Sequence, residues 1–290
     1  MTGTRIDFSS ATPAPGTLDV RWIHGSRSAK HNTDPDIQVH AYNEHTVVLR
    51  QNKAVDYEAP FLFLLFGNER AVLLDTGATA SAEHFPLRRT VDDLIGRWLD
   101  AHPRQGYELL VLHTHAHRDH VAADAQFTGR PGTVVVGADR ASAWAYLGLS
   151  ASDRAARLDL GGRVLDCLST PGHHESAVTF YDGYTGLLFT GDTVYRGRLY
   201  IDDWAAFRDT IDTLVRFCET RPVTHVLGCH IEMTSSPGVD YPIRTPFQPD
   251  EPPPQMTTRH LRDIQAAVAA VGDQTGRHVF ADFILCRNEA

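Results

Sequence analysis

Apolar positions along this chain fall into two rhythms. After a polar, histidine-bearing stretch, "WIHGSRSAKHNTDPDIQVHAYNEH", come the runs "TVVLRQ", "FLFLLF" and "RAVLLDTG", separated by loops of turn-forming residues. Short, nearly continuous apolar runs bounded by Gly, Asn and Asp predict strands covered on both faces, so the first third is mostly β. The rhythm then changes: Val91, Leu94, Ile95, Trp98 and Leu99 form one stripe with a period of about 3.6 residues, which predicts a helix with Thr90 as its N-cap. "YELLVLHTH" predicts a buried strand running into a histidine cluster, "TVVVGAD" another strand, and "SAWAYL" a short helix.

Further on, "RVLDCLSTPG" and "AVTFYDGYTGLLFTGD" predict a β-meander turning at "DGYTG". From Asp202 a helix places Trp204, Phe207, Ile211, Leu214, Val215 and Cys218 on one face, and "VTHVLGCH" resumes a strand. A Pro-rich loop, "TPFQPDEPPP", leads to a helix carrying Leu261, Ile264, Val268 and Val271 and to a closing strand, "HVFADFILC". Strands interleaved with helices indicate the α/β class. Residues 1–20, rich in Ser, Ala, Pro and Gly and without the apolar segment of a signal peptide, are expected to be a flexible lead-in. Residues 21–290 are expected to form a single domain, with 236–290 as a C-terminal extension packed on it because its helix carries an apolar stripe of its own.

Composition narrows the function classes. The chain has 290 residues, 42% hydrophobic and 22% charged, enough for a sizeable core. With 27 Lys and Arg against 36 Asp and Glu, the net charge is -9, so no global positive field draws in nucleic acid or an anionic membrane. A small-molecule substrate is the expected partner. The apolar runs are too short to span a bilayer, and the cytoplasm is the default location. Cys167, Cys218, Cys229 and Cys286 are scattered without a C-x-x-C pair, which fits reduced core residues better than a disulfide framework.

The densest chemistry is "HTHAHRDH", His113 to His120. Metal binding needs imidazole or carboxylate donors converging to about 2.0–2.2 Å from one ion. His115 and His117, two apart on extended backbone, point to one side, whereas Asp119 and His120 are adjacent at a helix start and face different ways. That arrangement suits two ions better than one, and the remaining donors must come from other loops at the same sheet edge. His173 in "STPGHHES", Asp192 in "LLFTGD" and His230 in "VLGCHIE" each follow an apolar run and a Gly, which places them at strand ends. His113 and His225 belong to strands, and His173 takes precedence over His174. His24, His31, His40 and His45 carry no spacing signal, which leaves them surface or loop roles.

In order along about residues 37–235, "LLDTG" with Asp75, "THAHRDH", "TPGH", "FTGD" and the late His230 resemble the motifs of the metallo-β-lactamase superfamily. The resemblance implies an αββα sandwich: two mixed β-sheets packed face to face, helices on both outer faces, and a dinuclear site at one edge. It also implies that His115, His117 and His173 hold one metal, that Asp119, His120 and His230 hold the other, and that Asp192 bridges them. Asp75 would order the site through hydrogen bonds. Two divalent ions are expected, zinc first, with iron or manganese as alternatives. Such a pair lowers the pKa of a bound water from about 15.7 to about 7, so a bridging hydroxide would be the nucleophile. Asp119 would orient it and move its proton. Tyr195, three residues after Asp192, is similar to a tyrosine of the superfamily's lactonases and would donate to the substrate carbonyl. Tyr57 and Phe61, near the loop "RQNKAVDYEAP", would line the pocket.

Departures from the superfamily's branches narrow the expectation. Asp192 stands where dedicated β-lactamases carry Cys or Ser, and His117 where the diiron oxygen-reducing branch has Glu. The tail is short and ends in a strand, unlike the all-helical C-terminal domain of the glutathione-thioester hydrolases. In "PGHHES", Glu175 and Ser176 replace the usual Pro-Gly after the histidine. The expected function is a dinuclear metallo-hydrolase cleaving an ester, lactone or thioester. A mononuclear iron persulfide dioxygenase of the same fold is the enzymatic alternative; a catalytically idle binding module would require missing ligands, and none is missing.

Overall fold

The computed structural model describes residues 3–287. In chain order its elements are β1 Ile37–Asn43, β2 Thr46–Gln51, β3 Phe61–Phe66, β4 Arg70–Leu74, α1 Leu87–Ala101, β5 Glu108–Leu112, α2 Arg118–Val121, α3 Asp124–Phe127 and β6 Thr133–Val135. There follow α4 Arg140–Leu147, β7 Ala155–Asp159, β8 Val164–Ser169, β9 Val178–Asp182, β10 Leu187–Gly191, β11 Arg198–Ile201, α5 Trp204–Glu219, β12 His225–Gly228, β13 Gln255–Met256, α6 Thr258–Val271, β14 Gly276–Val279 and β15 Ile284–Arg287. One sheet runs β1-β2-β3-β4-β5-β6, a second β13-β12-β10-β9-β8-β7, and a small third β11-β15-β14. The two large sheets are mixed: β4, β5 and β6 are parallel, as are β10 and β12, and the other pairings are antiparallel.

Three apolar clusters hold the layers together. Phe63, Leu65, Val72, Leu74, Leu110 and Leu112 of the first sheet meet Leu165, Cys167, Phe180, Leu187 and Phe189 of the second. On the outside of the first sheet, Leu62, Leu64, Leu73 and Val111 pack on Val91, Leu94, Ile95 and Trp98 of α1 and on Phe127 of α3. Outside the second sheet, Leu188 and Val226 pack on Phe207, Ile211 and Leu214 of α5 and on Leu261, Ile264 and Val268 of α6. Central strands are thus apolar on both faces, which is why their sequence runs barely alternate. The expected αββα sandwich is the fold found.

Local boundaries differ from the pattern in informative ways. Helix α1 begins at Leu87 with Pro86 at the N-cap, and Thr90 lies inside it, its hydroxyl donating to the Pro86 carbonyl at 3.0 Å. β1 lies hidden in the polar stretch because, as an edge strand, it turns one face to solvent. The expected closing strand is a hairpin, β14 and β15, turning at Ala281 and Asp282 and pairing with β11. Residues 3–20 have no regular secondary structure but lie along the body: Phe8 and Leu18 are buried, and the amides of Ala14 and Thr17 donate to Tyr184 and Tyr42. Among the described residues no helix is long and apolar enough to cross a membrane.

Candidate metal centre

Strand direction assembles the site. β4 and β5 are parallel, and β8, β10 and β12 run the same way as one another, so each sheet brings its C-terminal strand ends to one edge. There the sheets are joined: the Val178 amide donates to the Thr114 carbonyl at 2.8 Å, and the Phe61 amide to the Cys229 carbonyl at 2.8 Å. The loops leaving β4, β5, β8, β10 and β12 carry Asp75, His113–His120, His173, Asp192 and His230. Gly191 makes the closest approach feasible. Its φ is +54°, and a Cβ there would stand 2.6 Å from the Thr114 side chain.

Two donor sets form, each with its donor atoms within 4.8 Å of one another: His115, His117 and His173; and Asp119, His120, Asp192 and His230. In the first set His117 Nδ1 lies 3.0 Å from both His115 Nε2 and His173 Nε2. In the second His120 Nε2 and His230 Nε2 are 3.4 Å apart, and Asp119 Oδ2 lies 3.4 Å and 3.2 Å from them. Asp192 spans both sets, with Oδ1 at 3.5 Å and 3.3 Å from His120 and His230 and Oδ2 at 3.8 Å from His173.

These residues fit metal ions, by two observations. Donors bound tetrahedrally about 2.0–2.1 Å from one ion are about 3.3 Å apart, close to the spacings found. Second, three of the five rings meet an acceptor on their far side. His120 Nδ1 lies 2.9 Å from Asp75 Oδ2, His173 Nδ1 2.8 Å from the Tyr200 carbonyl, and His230 Nδ1 3.0 Å from the Glu58 carbonyl. Those oxygens only accept, so each Nδ1 carries a proton, which leaves each Nε2 as the nitrogen facing the cluster. Asp192 Oδ1, buried among them, has no hydrogen-bond partner. Asp75 also accepts from the Thr114 amide and hydroxyl at 2.7 Å and 2.8 Å, which holds the start of the histidine loop.

Charge follows the same division. Burial alone would push the Asp119 and Asp192 carboxyls up, but His120 and His230 hold both well below the usual carboxylate range. Those carboxylates in turn outweigh burial at His120 and His230 and hold both imidazoles well above the usual histidine range. His115 is pushed well below that range by burial and by the imidazoles around it.

Every metal ligand expected from the sequence lies in these two sets. His113 stands just past β5 and bonds Asp124 at 2.9 Å, His174 bonds Ser176 at 2.9 Å, and His225 opens β12. His45 is not a surface residue: it is buried and accepts from the Trp98 indole at 3.1 Å. Tyr195 lines the cleft; its hydroxyl donates to the Arg198 carbonyl and lies 3.0 Å from Glu232 Oε2. Above the donors opens a cleft of about 240 Å³, lined among others by Lys53, Tyr57, Glu58, Glu232, Arg244 and Gln248. Tyr57 lines it as expected, whereas Phe61 is buried in the core under Trp22 and Arg50. Lys53 and Glu58 sit in the loop singled out from the sequence; Glu232, Arg244 and Gln248 had no spacing signal.

An αββα sandwich with donor sets for two metals at the strand ends is the class that fold and site define. The family model described as the metallo-beta-lactamase superfamily matches residues 59–269, and the chain belongs to that superfamily. A hydroxyacylglutathione hydrolase of Rhizobium meliloti (strain 1021) is 34% identical over 164 residues, 53% of this chain and 57% of that protein. The protein of the same name in Chelativorans sp. (strain BNC1) is 30% identical over 143 residues, 48% of this chain and 54% of that one. The chain thus spans about half the length of the curated relatives it matches. Among solved structures, the DIM-1 metallo-beta-lactamase superposes with a TM-score of 0.55 at 13% identity, covering 83% of this chain and 100% of that one, a likeness of fold alone.

Proposed function

We propose that the chain is a dinuclear metallo-hydrolase, with zinc the expected metal, that cleaves a thioester, ester or lactone bond of a small molecule. The observation that carries this reading is the carboxylate of Asp192 spanning two complete donor sets at the floor of one cleft. His115, His117 and His173 would hold one ion, Asp119, His120 and His230 the other, and Asp192 both. Bound there, the ions would supply hydroxide at neutral pH and polarise the scissile carbonyl. The side chains do the rest. Asp119, with one oxygen toward His120 and His230, lines the cleft and is a fifth exposed, placed to hold and pass a proton. Asp75, Tyr200 and Glu58 keep the imidazole protons outside the cluster. Tyr195 positions Glu232 and Arg198 beside the cleft.

Among the three bond types the names of the relatives favour a thioester. Against a simple transfer of substrate stands the tail, which here is one helix and three short strands. The test is metal quantification on purified protein coupled to a panel of thioesters, lactones, aryl esters and β-lactams. Two zincs per chain, turnover of a thioester or lactone, and loss of turnover in Asp119→Asn with metal retained are expected. One iron per chain with oxygen consumption would replace this reading by the persulfide dioxygenase.

A further inference from the structure

The chain is acidic overall, yet beside the cleft two buried cations, Arg50 and Lys53, share the single carboxylate of Glu251. Arg50 gives both terminal nitrogens to Glu251, at 2.7 Å and 2.8 Å, and its side chain is fully buried. Lys53, which lines the cleft, shares that carboxylate only at 3.9 Å, with its side chain 3% exposed. Its close hydrogen bond goes to the Tyr57 carbonyl at 3.2 Å. Two cations therefore face one carboxylate that the first already satisfies. Of the other anions nearby, Glu232 is bound by Arg198 at 2.6 Å and by Tyr195, and Glu58 on the same cleft lining makes no ion pair with Lys53. Burial holds the Lys53 ammonium down to about 8, with Arg50 adding and the carboxylates of Glu251, Glu232 and Glu58 opposing. Gln248 lines the same cleft, is 4% exposed, and its Oε1 has no hydrogen-bond partner. Amide oxygen and nitrogen exchange by a flip, so this carboxamide can present N–H to a ligand.

We propose that Lys53 and Gln248 form a subsite for a carboxylate that the substrate carries away from its scissile carbonyl. The inference rests on the hydrolase reading above and narrows its substrate to acyl compounds that carry a carboxylate. A buried ammonium beside one amide matches a carboxylate, whose two oxygens can take one donor each, and Arg244, which lines the same cleft, adds to the attraction for an anion. The cleft, about 240 Å³, leaves room for only a small molecule between the donors and this wall.

The test compares S-acetyl-3-mercaptopropionate with its methyl ester on zinc-loaded protein. Hydrogen bonds to a charged group predict a kcat/KM ratio of acid to ester of about 10 to 100, expressed mainly in KM. Lys53→Met should bring the ratio toward one and Gln248→Leu should lower it several-fold. Lys53→Met leaves Glu251 paired with Arg50, and zinc content with a melting curve shows that each variant is folded. Calorimetric titration with the thioether S-ethyl-3-mercaptopropionate and its methyl ester reads binding without turnover. Hydrolysis of neither thioester, nor of any lactone or aryl ester of the panel above, with Lys53-dependent binding of the acid thioether, would sink the hydrolase reading and sustain the subsite. Equal handling of acid and ester by the unaltered protein, or a ratio that neither variant moves, overturns the subsite.

Discussion

Replacing Asp75 by asparagine isolates how the protein body controls one metal ligand. The Asp75 side chain is fully buried and accepts three hydrogen bonds at 2.7–2.9 Å, from the Thr114 amide, the Thr114 hydroxyl and His120 Nδ1. Asparagine keeps the volume but turns one acceptor into a donor. With its oxygen on the Thr114 amide, its NH2 faces His120 Nδ1, and the imidazole relieves that clash by moving its proton to Nε2. That nitrogen is the one turned toward Asp119, Asp192 and His230, so the second donor set loses a lone pair. Loss of such a partner costs about 10- to 100-fold in metal affinity, or about 1.4–2.8 kcal/mol. The metal-free protein should lose about 1–3 kcal/mol of stability, since a buried donor is left unmet whichever way the amide turns. Competition titration against a chromophoric chelator resolves two binding steps, and denaturant melts in excess chelator give the apo stability. The step belonging to Asp119, His120 and His230 should weaken while the His115, His117 and His173 step changes little. Two unchanged steps in a folded Asp75→Asn protein would refute the tautomer argument.

Two other perturbations probe groups outside the donor sets. Tyr195→Phe removes a hydroxyl bound to the Arg198 carbonyl and Glu232, so stability should drop by about 1–2 kcal/mol with kcat within about threefold; a hundredfold loss of kcat in a protein that melts normally would restore the tyrosine as a donor to substrate. His45 is held from 6.5 down to about 4, chiefly by burial, with Glu44 opposing and His102 and Arg163 adding. The folded protein thus binds fewer protons there than the unfolded chain between pH 4 and 6.5, and stability falls as pH drops through that window, by up to about 3 kcal/mol. His45→Gln keeps an acceptor for the Trp98 indole and should flatten this part of the profile in metal-free denaturant melts; an unaltered slope would assign it to other groups.

Much of the fold was legible because burial on both faces leaves short, nearly continuous apolar runs, and their length and flanking turn residues mark them as strands. "FLFLLF" and "LLFTG" became β3 and β10, and the stripe through Val91 and Trp98 became α1. What escaped was decided by tertiary partners. β1 looks polar because it is an edge; α1 starts before Thr90 because Pro86 sets the entry; the last strand folds back because β11 offers an edge to β15.

For the site, the sequence singled out the residues that the fold brings together, because His and Asp at strand ends are marked by local punctuation: an apolar run, a Gly, then the donor. Chain pattern also set the layers, since amphipathic period and apolar runs are properties of neighbouring residues. Only the tertiary structure decided which oxygens meet the Nδ1 atoms of His120, His173 and His230, that the Tyr195 hydroxyl lies against Arg198 and Glu232, and that Lys53 and Gln248 line one cleft. Those contacts join residues far apart in sequence, and their energies depend on burial and on the charge left over after pairing, neither of which has any local pattern to read.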